Sequence, residues 1–266
     1  MTTSERLARG IEEVAAEIGG IVSVSARDLR RGEALDLRAD ERLFAASIIK
    51  VAILVELLAQ AEAGEVRLDE RRSLADAEKV PGSGVLSMLH PGMELTLEDL
   101  AHLMICVSDN TASNMLLGIL GLDRVNQRMR SLGLTQTCMG RKFFDFEARE
   151  RGLENWATAR EMAELLTRIE RREVVSASAC EKMLSIMRRQ QFDGRIPRLL
   201  PPDTPVANKT GSITGICHDI GIIYSPAGPL VLAVLTSGIA EPALAENGIR
   251  HIARLVYHHW GASTDA

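Results

Sequence analysis

The chain has 266 residues, 46% of them apolar and 25% charged, with a formal net charge of −5. That length admits one large domain or two small ones, and the apolar share supplies a substantial core. The acidic balance argues against a nucleic-acid partner, which would want a basic face, and 3% aromatics leave few stacking platforms for bases or sugars.

The opening segment MTTSERLARGIEEVAAEIGG lacks the apolar run of a signal peptide. It reads as an amphipathic helix over 4–18, with Ser4 as N-cap and Leu7, Ile11, Val14, Ala15 and Ile18 on one stripe. IVSVSARDLRRGEALDLRAD alternates and turns at Arg31–Gly32, which predicts a hairpin. LFAASIIKVAIL then opens a strongly apolar helix from Ser47 to about Ala63, interrupted by Ser47 and Lys50. The greasiest part, 51–58, is too short to span a bilayer and contains Glu56. A soluble protein without a membrane span is expected, cytoplasmic or, if a leader has been removed, periplasmic or secreted.

TLEDLAHLMICVS predicts a helix capped by Thr96, and helices follow in TASNMLLGILG, DRVNQRMRSLG, TAREMAELLTRIERR and SASACEKMLSIMRR. The character then changes. TPVANKTGS, HDIGIIYS and PLVLAVLTSG predict three strands, the last two joined by a turn at Pro226–Pro229, and a helix closes the chain from about Pro242 to Trp260. Cys106, Cys138, Cys180 and Cys217 are widely spaced, with no C-x-x-C pair and no histidine cluster, so free thiols are expected and no metal.

Strands at both ends and helices between predict an α+β (αβα) fold. An antiparallel sheet built from 1–45 and 203–266 is flanked by the terminal helices. Residues 46–202 form an all-helical lobe, and a site is expected at the seam.

Three segments carry candidate chemistry. Ser47-Ile48-Ile49-Lys50 sets a hydroxyl and an amine three residues apart, on one helix face. Desolvation can leave the amine neutral and able to take the serine's proton. The bland alternative is an N-cap serine and a snorkelling lysine. Ser108-Asp109-Asn110 joins two helices; Ser108 could relay protons and Asn110 bind a substrate carbonyl, yet these are ordinary loop residues, and Asp109 suits a helix cap. In Asn208-Lys209-Thr210-Gly211-Ser212, a strand glycine permits close approach of a ligand, while Lys209 and Thr210 would attract a carboxylate. The alternative is a strand end with a turn glycine.

S-x-x-K, S-D-N and K-T-G in that order resemble the signature of penicillin-recognising serine enzymes. Ser108 and Lys209 follow Ser47 by 61 and 162 residues, spacings similar to those of class A β-lactamases. LHPGMELTLEDLAHLMICVSDNTASNMLL and HDIGIIYSPAGPLVLAVLTSG extend the resemblance over nearly the whole chain. It implies Ser47 as acylated nucleophile, Lys50 as base or proton relay, and Ser108 as proton donor to the leaving nitrogen. It further implies Asn110 on the substrate's amide side chain, Lys209 and Thr210 on its carboxylate, and an oxyanion hole from the N–H groups of Ser47 and Ser212, beside Gly211. No cofactor or metal is implied.

The sequence departs from that family between the second and third motifs. No E-x-x-L-N occurs in GRKFFDFEARERGLENWATAREMA, and the loop looks shortened. Asp145 and Glu147 are the carboxylates available for deacylation, against the alternative of an acidic loop pairing with Arg141, Lys142, Arg149 and Arg151. Asn155 falls beyond the catalytic part on this reading. At the rim, KVPGSGVLSML predicts an open, aliphatic entrance walled by Val85 and Leu86, with Gly82 and Gly84 giving flexibility. His218 and Asp219 are read as hairpin residues rather than substrate contacts. The expected activity is opening of β-lactam rings; the alternatives are a D,D-peptidase, amidase or esterase with slow deacylation, or a binding protein without catalysis. The expected partner is a small molecule, a β-lactam or an acyl-D-amino-acid peptide.

Overall fold

A computed structural model describes residues 2–261. The helices are α1 (Thr3–Ile18), α2 (Lys50–Glu62), α3 (Leu97–Cys106), α4 (Asn110–Leu120), α5 (Leu122–Ser131), α6 (Phe146–Glu150), α7 (Ala159–Glu170), α8 (Ala177–Met187) and α9 (Pro242–Trp260). The strands are β1 (Ile21–Asp28), β2 (Glu33–Leu37), β3 (Leu43–Phe44), β4 (Arg71–Ser73), β5 (Glu94–Thr96), β6 (Trp156–Ala157), β7 (Val206–Ile213), β8 (Ile216–Ser225) and β9 (Gly228–Ser237).

Five strands make one antiparallel sheet in the order β2-β1-β9-β8-β7. The chain's beginning and end therefore meet in the middle of that sheet, where Val24 pairs with Val234. An antiparallel sheet usually shows water one polar face; this one is covered on both, which is why β8 and β9 read as nearly unbroken apolar runs. α1 and α9 cover one face through Leu7, Ile11, Ile249 and Val256. α7 packs against β1, β8 and β9 on the other. The fold class is the expected α+β.

α2 is buried all round, from Lys50 to Gln60, as befits the central helix of the remaining helices. Its buried Glu56 is neutralised by Arg128 at 3.0 Å and accepts from Gln60 at 2.8 Å. Helix starts follow side-chain caps. Thr96, Asp109, Thr158 and Ser176 each accept a backbone N–H of the first turn. α1 is capped by Thr2 rather than Ser4, because Thr2 and Glu5 form a reciprocal capping box two residues earlier. The four cysteines are unpaired. No helix among the described residues is long and apolar enough to cross a membrane.

Candidate active site

Ser47 lies in a 3-10 turn, Ala46–Ile49, that feeds directly into α2. Ala46 adopts a left-handed backbone with φ 44°, a strained conformation for a residue with a side chain. The turn presses Ser47 against β7: a Cβ on Gly211 would sit 3.1 Å from the Ser47 nitrogen. Glycine at 211 is thus what lets the strand approach the backbone of Ser47.

Lys50 begins α2 and is fully buried. Its Nζ donates to Ser108 O at 2.7 Å and Asn110 Oδ1 at 2.8 Å, and lies 3.1 Å from Ser108 Oγ. The ring of Phe143 covers it, with 4.5 Å from Nζ to the ring centroid. Burial, followed by the nearby Lys209 charge, drives its pKa well below the ordinary lysine value. Lys209, on β7, reaches Ser108 Oγ from the opposite side at 3.0 Å and donates to Thr210 O at 2.7 Å. Burial lowers it to about 7, partly countered by Asp219. Ser108 is therefore held between two lysines, on a backbone with φ 55°.

The S-D-N loop is fixed by its aspartate. Asp109 Oδ1 caps α4 through Ala112 N, while Oδ2 accepts from Val85 N at 2.6 Å and Leu86 N at 2.8 Å. Gly84 lies directly on that carboxylate, where a Cβ would stand 2.2 Å from Asp109 Cγ. Gly84 serves close packing, not the flexibility expected of it. Asn110 spends Oδ1 on Lys50 and one N–H on Pro81 O at 3.1 Å, leaving its second amide N–H for a ligand.

Two cavities meet at Ser47. One, of about 380 Å³, has Ser108, Thr210, Ser212 and Arg195 in its wall. The other, of about 360 Å³, is lined by Phe44, Phe143, Phe144, Phe146, Asn110 and Ile213. Ser47 makes no side-chain hydrogen bond to any of the described residues, which leaves its hydroxyl uncommitted where the two spaces join.

Arg195 escaped the reading of the sequence, because no spacing or motif singles it out. It is buried, donates to His218 O at 2.6 Å, Gly211 O at 3.1 Å and Ser212 Oγ at 2.5 Å, and faces the first cavity. His218 and Asp219 are fully buried and serve the sheet, as read. His218 Nδ1 accepts from Thr236 N, so Nε2–H donates to Phe44 O, and burial lowers its pKa to about 4. Asp219 accepts from Asn208 and from Ile196 N, and burial raises it to about 6.

The structure brings Ser47, Lys50, Ser108, Asn110, Lys209, Thr210, Gly211 and Ser212 together. It does not bring Asp145 or Glu147 to them. Asp145 caps α6, accepting from Ala148 N at 2.9 Å, and Glu147 is exposed; neither lines either cavity. The segment folds back so that Glu154 and Asn155 line the second cavity instead. Glu154 pairs with Arg141 at 2.8 Å and Arg149 at 3.4 Å, and Asn155 Oδ1 accepts from Gly140 N and Arg141 N. The expected aliphatic entrance is also corrected. Leu86 is buried beneath Asp109 and Val85 is outside both walls; the residues at the mouth are phenylalanines. Among the described residues, no cluster of histidine, cysteine, aspartate and glutamate is arranged to hold a metal ion.

The profile of the beta-lactamase enzyme family matches residues 6–260. The chain is 26% identical to a beta-lactamase of Rhodobacter capsulatus, over 96% of this chain and 88% of that protein. Its fold is similar to the crystal structure of a beta-lactamase from Sphaerobacter thermophilus, with TM-score 0.89, 36% identity, and coverage of 96% and 97% of the two chains. It is also similar to the structure of PBP-A, with TM-score 0.86, 28% identity and 95% of each chain covered.

Proposed function

The chain belongs to the beta-lactamase enzyme family, and from that premise we propose that it opens β-lactam rings through an acyl-enzyme on Ser47. The observation that carries the reading is the buried Lys50–Ser108–Lys209 chain, with contacts of 3.1 and 3.0 Å, beside an uncommitted serine hydroxyl.

The depressed pKa of Lys50 keeps a neutral amine available. Its two N–H bonds go to Ser108 O and Asn110 Oδ1, and the lone pair faces Ser108 Oγ at 3.1 Å, through which it can draw a proton. As Ser47 Oγ attacks the lactam carbonyl carbon, that lone pair takes the hydroxyl proton. The carbonyl oxygen becomes an oxyanion beside the N–H groups of Ser47 and Ser212, donors typically worth about 3 kcal/mol each in such a role. Collapse re-forms the carbonyl and breaks the C–N bond. Ser108 Oγ–H gives its proton to the departing nitrogen and is resupplied from Lys50. Water then cleaves the ester and frees Ser47. Lys209, Thr210 and Arg195 supply positive charge and donors for the substrate carboxylate, and Asn110 its spare N–H for the amide. An acidic surface balance fits a small-molecule substrate rather than a nucleic acid.

One observation favours a second reading, in which the acyl-enzyme is long-lived. Lys50 is covered by the Phe143 ring rather than by a carboxylate, and Glu154 is tied to two arginines. Intact-mass spectrometry after mixing with benzylpenicillin, alongside a chromogenic cephalosporin assay, separates the cases. A Ser47 adduct that forms and decays with turnover supports ring hydrolysis. A persistent adduct without turnover supports the second reading. No adduct, with Ser47→Ala behaving like wild type, overturns both.

A further inference from the structure

Phenylalanine is scarce in this chain, with five in all, and every one lines a cavity that Ser47 also lines. Four of them, Phe44, Phe143, Phe144 and Phe146, wall the same cavity. Such residues normally go to a core, but Phe144 is 37% exposed and Phe146 59% exposed. An exposed apolar surface concentrated at a concave site is a mark of ligand contact.

These rings are held in place, not left loose. Asn114 clamps Phe143 from both sides, with Oδ1 accepting from Phe143 N and Nδ2 donating to Phe143 O, each at 2.9 Å. Phe144 sits in the left-handed region, with φ 60°. That turn lays its ring on Gly82, where an added Cβ would approach Phe144 Cζ to 3.0 Å. Asp145 caps the short α6, and this presents Phe146 edge-to-face with Phe144, centroids 5.9 Å apart at 80°. Strained backbone that surrounding contacts enforce is typical of binding sites. Phe44, stacked on Trp156 at 4.4 Å, lines the same cavity.

The occupant follows from the neighbouring cavity. On the proposed reading Arg195, which also pairs with Glu246 at 3.3 Å, and Thr210 take the substrate's anionic end on one side of Ser47. The portion attached to the other side of the reacting carbonyl must then project toward the phenylalanines. We infer that this enzyme selects β-lactams whose acylamino side chain ends in an aromatic ring, gripped edge and face by Phe144 and Phe146. The inference rests on the proposed role of Ser47 and adds the substrate class.

The test compares benzylpenicillin, which carries a phenylacetyl group, with 6-aminopenicillanic acid, which has the same nucleus and no acyl group. Second-order acylation constants are measured for wild type, Phe144→Ala, Phe146→Ala and Phe146→Trp, with melting temperatures as a folding control. The ratio of the two constants should strongly favour benzylpenicillin in wild type. It should fall about two- to tenfold for each ring removed, the size of one aromatic contact, and recover in Phe146→Trp. Acylation of Ser47 with a ratio that ignores all three substitutions overturns the aromatic selection alone. Failure of both compounds to acylate Ser47 overturns the ring-opening reading and this one with it.

Discussion

On one side of Ser47 the wall carries Arg195 and Thr210; on the other it carries four phenylalanines among polar residues, and Ser212 borders both. The first wall belongs to β7 and a buried arginine, which is tied to Gly211 O, His218 O and Ser212 Oγ. The second belongs largely to a loop whose rings remain partly in water. Recognition of a carboxylate, the role proposed for this wall, depends on direction and on desolvated charge, which a guanidinium already held in place supplies. Apolar contact is not directional, so a wall of rings can hang on a short loop without losing its purpose. Ser47, Lys50 and Ser108, the groups proposed to be catalytic, lie at the junction of the two walls.

Substitutions can break this contrast, and the largest effect belongs to the junction. Ser47→Ala should eliminate the covalent adduct, read as loss of the mass shift with benzylpenicillin. Lys50→Ala should slow acylation about 10²–10⁴-fold, as expected for removing a general base; stopped-flow acylation kinetics at saturating substrate checks this, and a near wild-type rate would remove Lys50 from the proton path. On the polar side, Arg195→Ala should raise KM for carboxylate-bearing β-lactams about tenfold or more, with kcat changing less. A finer probe of the same wall is pH. Lys209 titrates at about 7 in the free protein and is cationic below that value. The second-order acylation constant should therefore decline as pH rises through about 7, and this alkaline limb should vanish for a substrate lacking the carboxylate. Identical limbs for both substrates would detach Lys209 from carboxylate binding.

The smallest effect lies on the apolar side. Asp145→Ala removes the α6 cap and should cost about 1 kcal/mol of stability, seen in denaturant melts. Asp145→Asn keeps a capping oxygen and should leave both stability and deacylation nearly unchanged. A collapse of deacylation in Asp145→Asn would return that carboxylate to the reaction.

The two walls also differ in how far the sequence discloses them. Lys209, Thr210, Gly211 and Ser212 stand in one strand with a readable pattern, and the serine–lysine pair at 47 and 50 follows from helix spacing. The sheet was legible for a similar reason: β7, β8 and β9 are apolar runs separated by turn residues. The segment from Arg141 to Asn155 was not legible. Its path is set by long-range contacts such as Asn114 with Phe143, Asn155 with Gly140 and Ala45 with Asn155. No local periodicity encodes these, so Asp145 looked available when it was already a cap. Arg195 was hidden likewise, since its partners Gly211 and His218 lie 16 and 23 residues away.

The pairing of β1 with β9 has a consequence for how the molecule is made. The second segment of regular structure to leave a ribosome must wait for nearly the last before its central neighbour exists. Until then β1 can pair only with β2, an isolated hairpin of marginal stability in water. Assembly of the sheet is thus a late event of high contact order, slower than formation of the helices translated in between. A chain truncated before residue 228 would lack the strand that joins its two ends, and would carry every side chain proposed above for the reaction without the frame that aligns them.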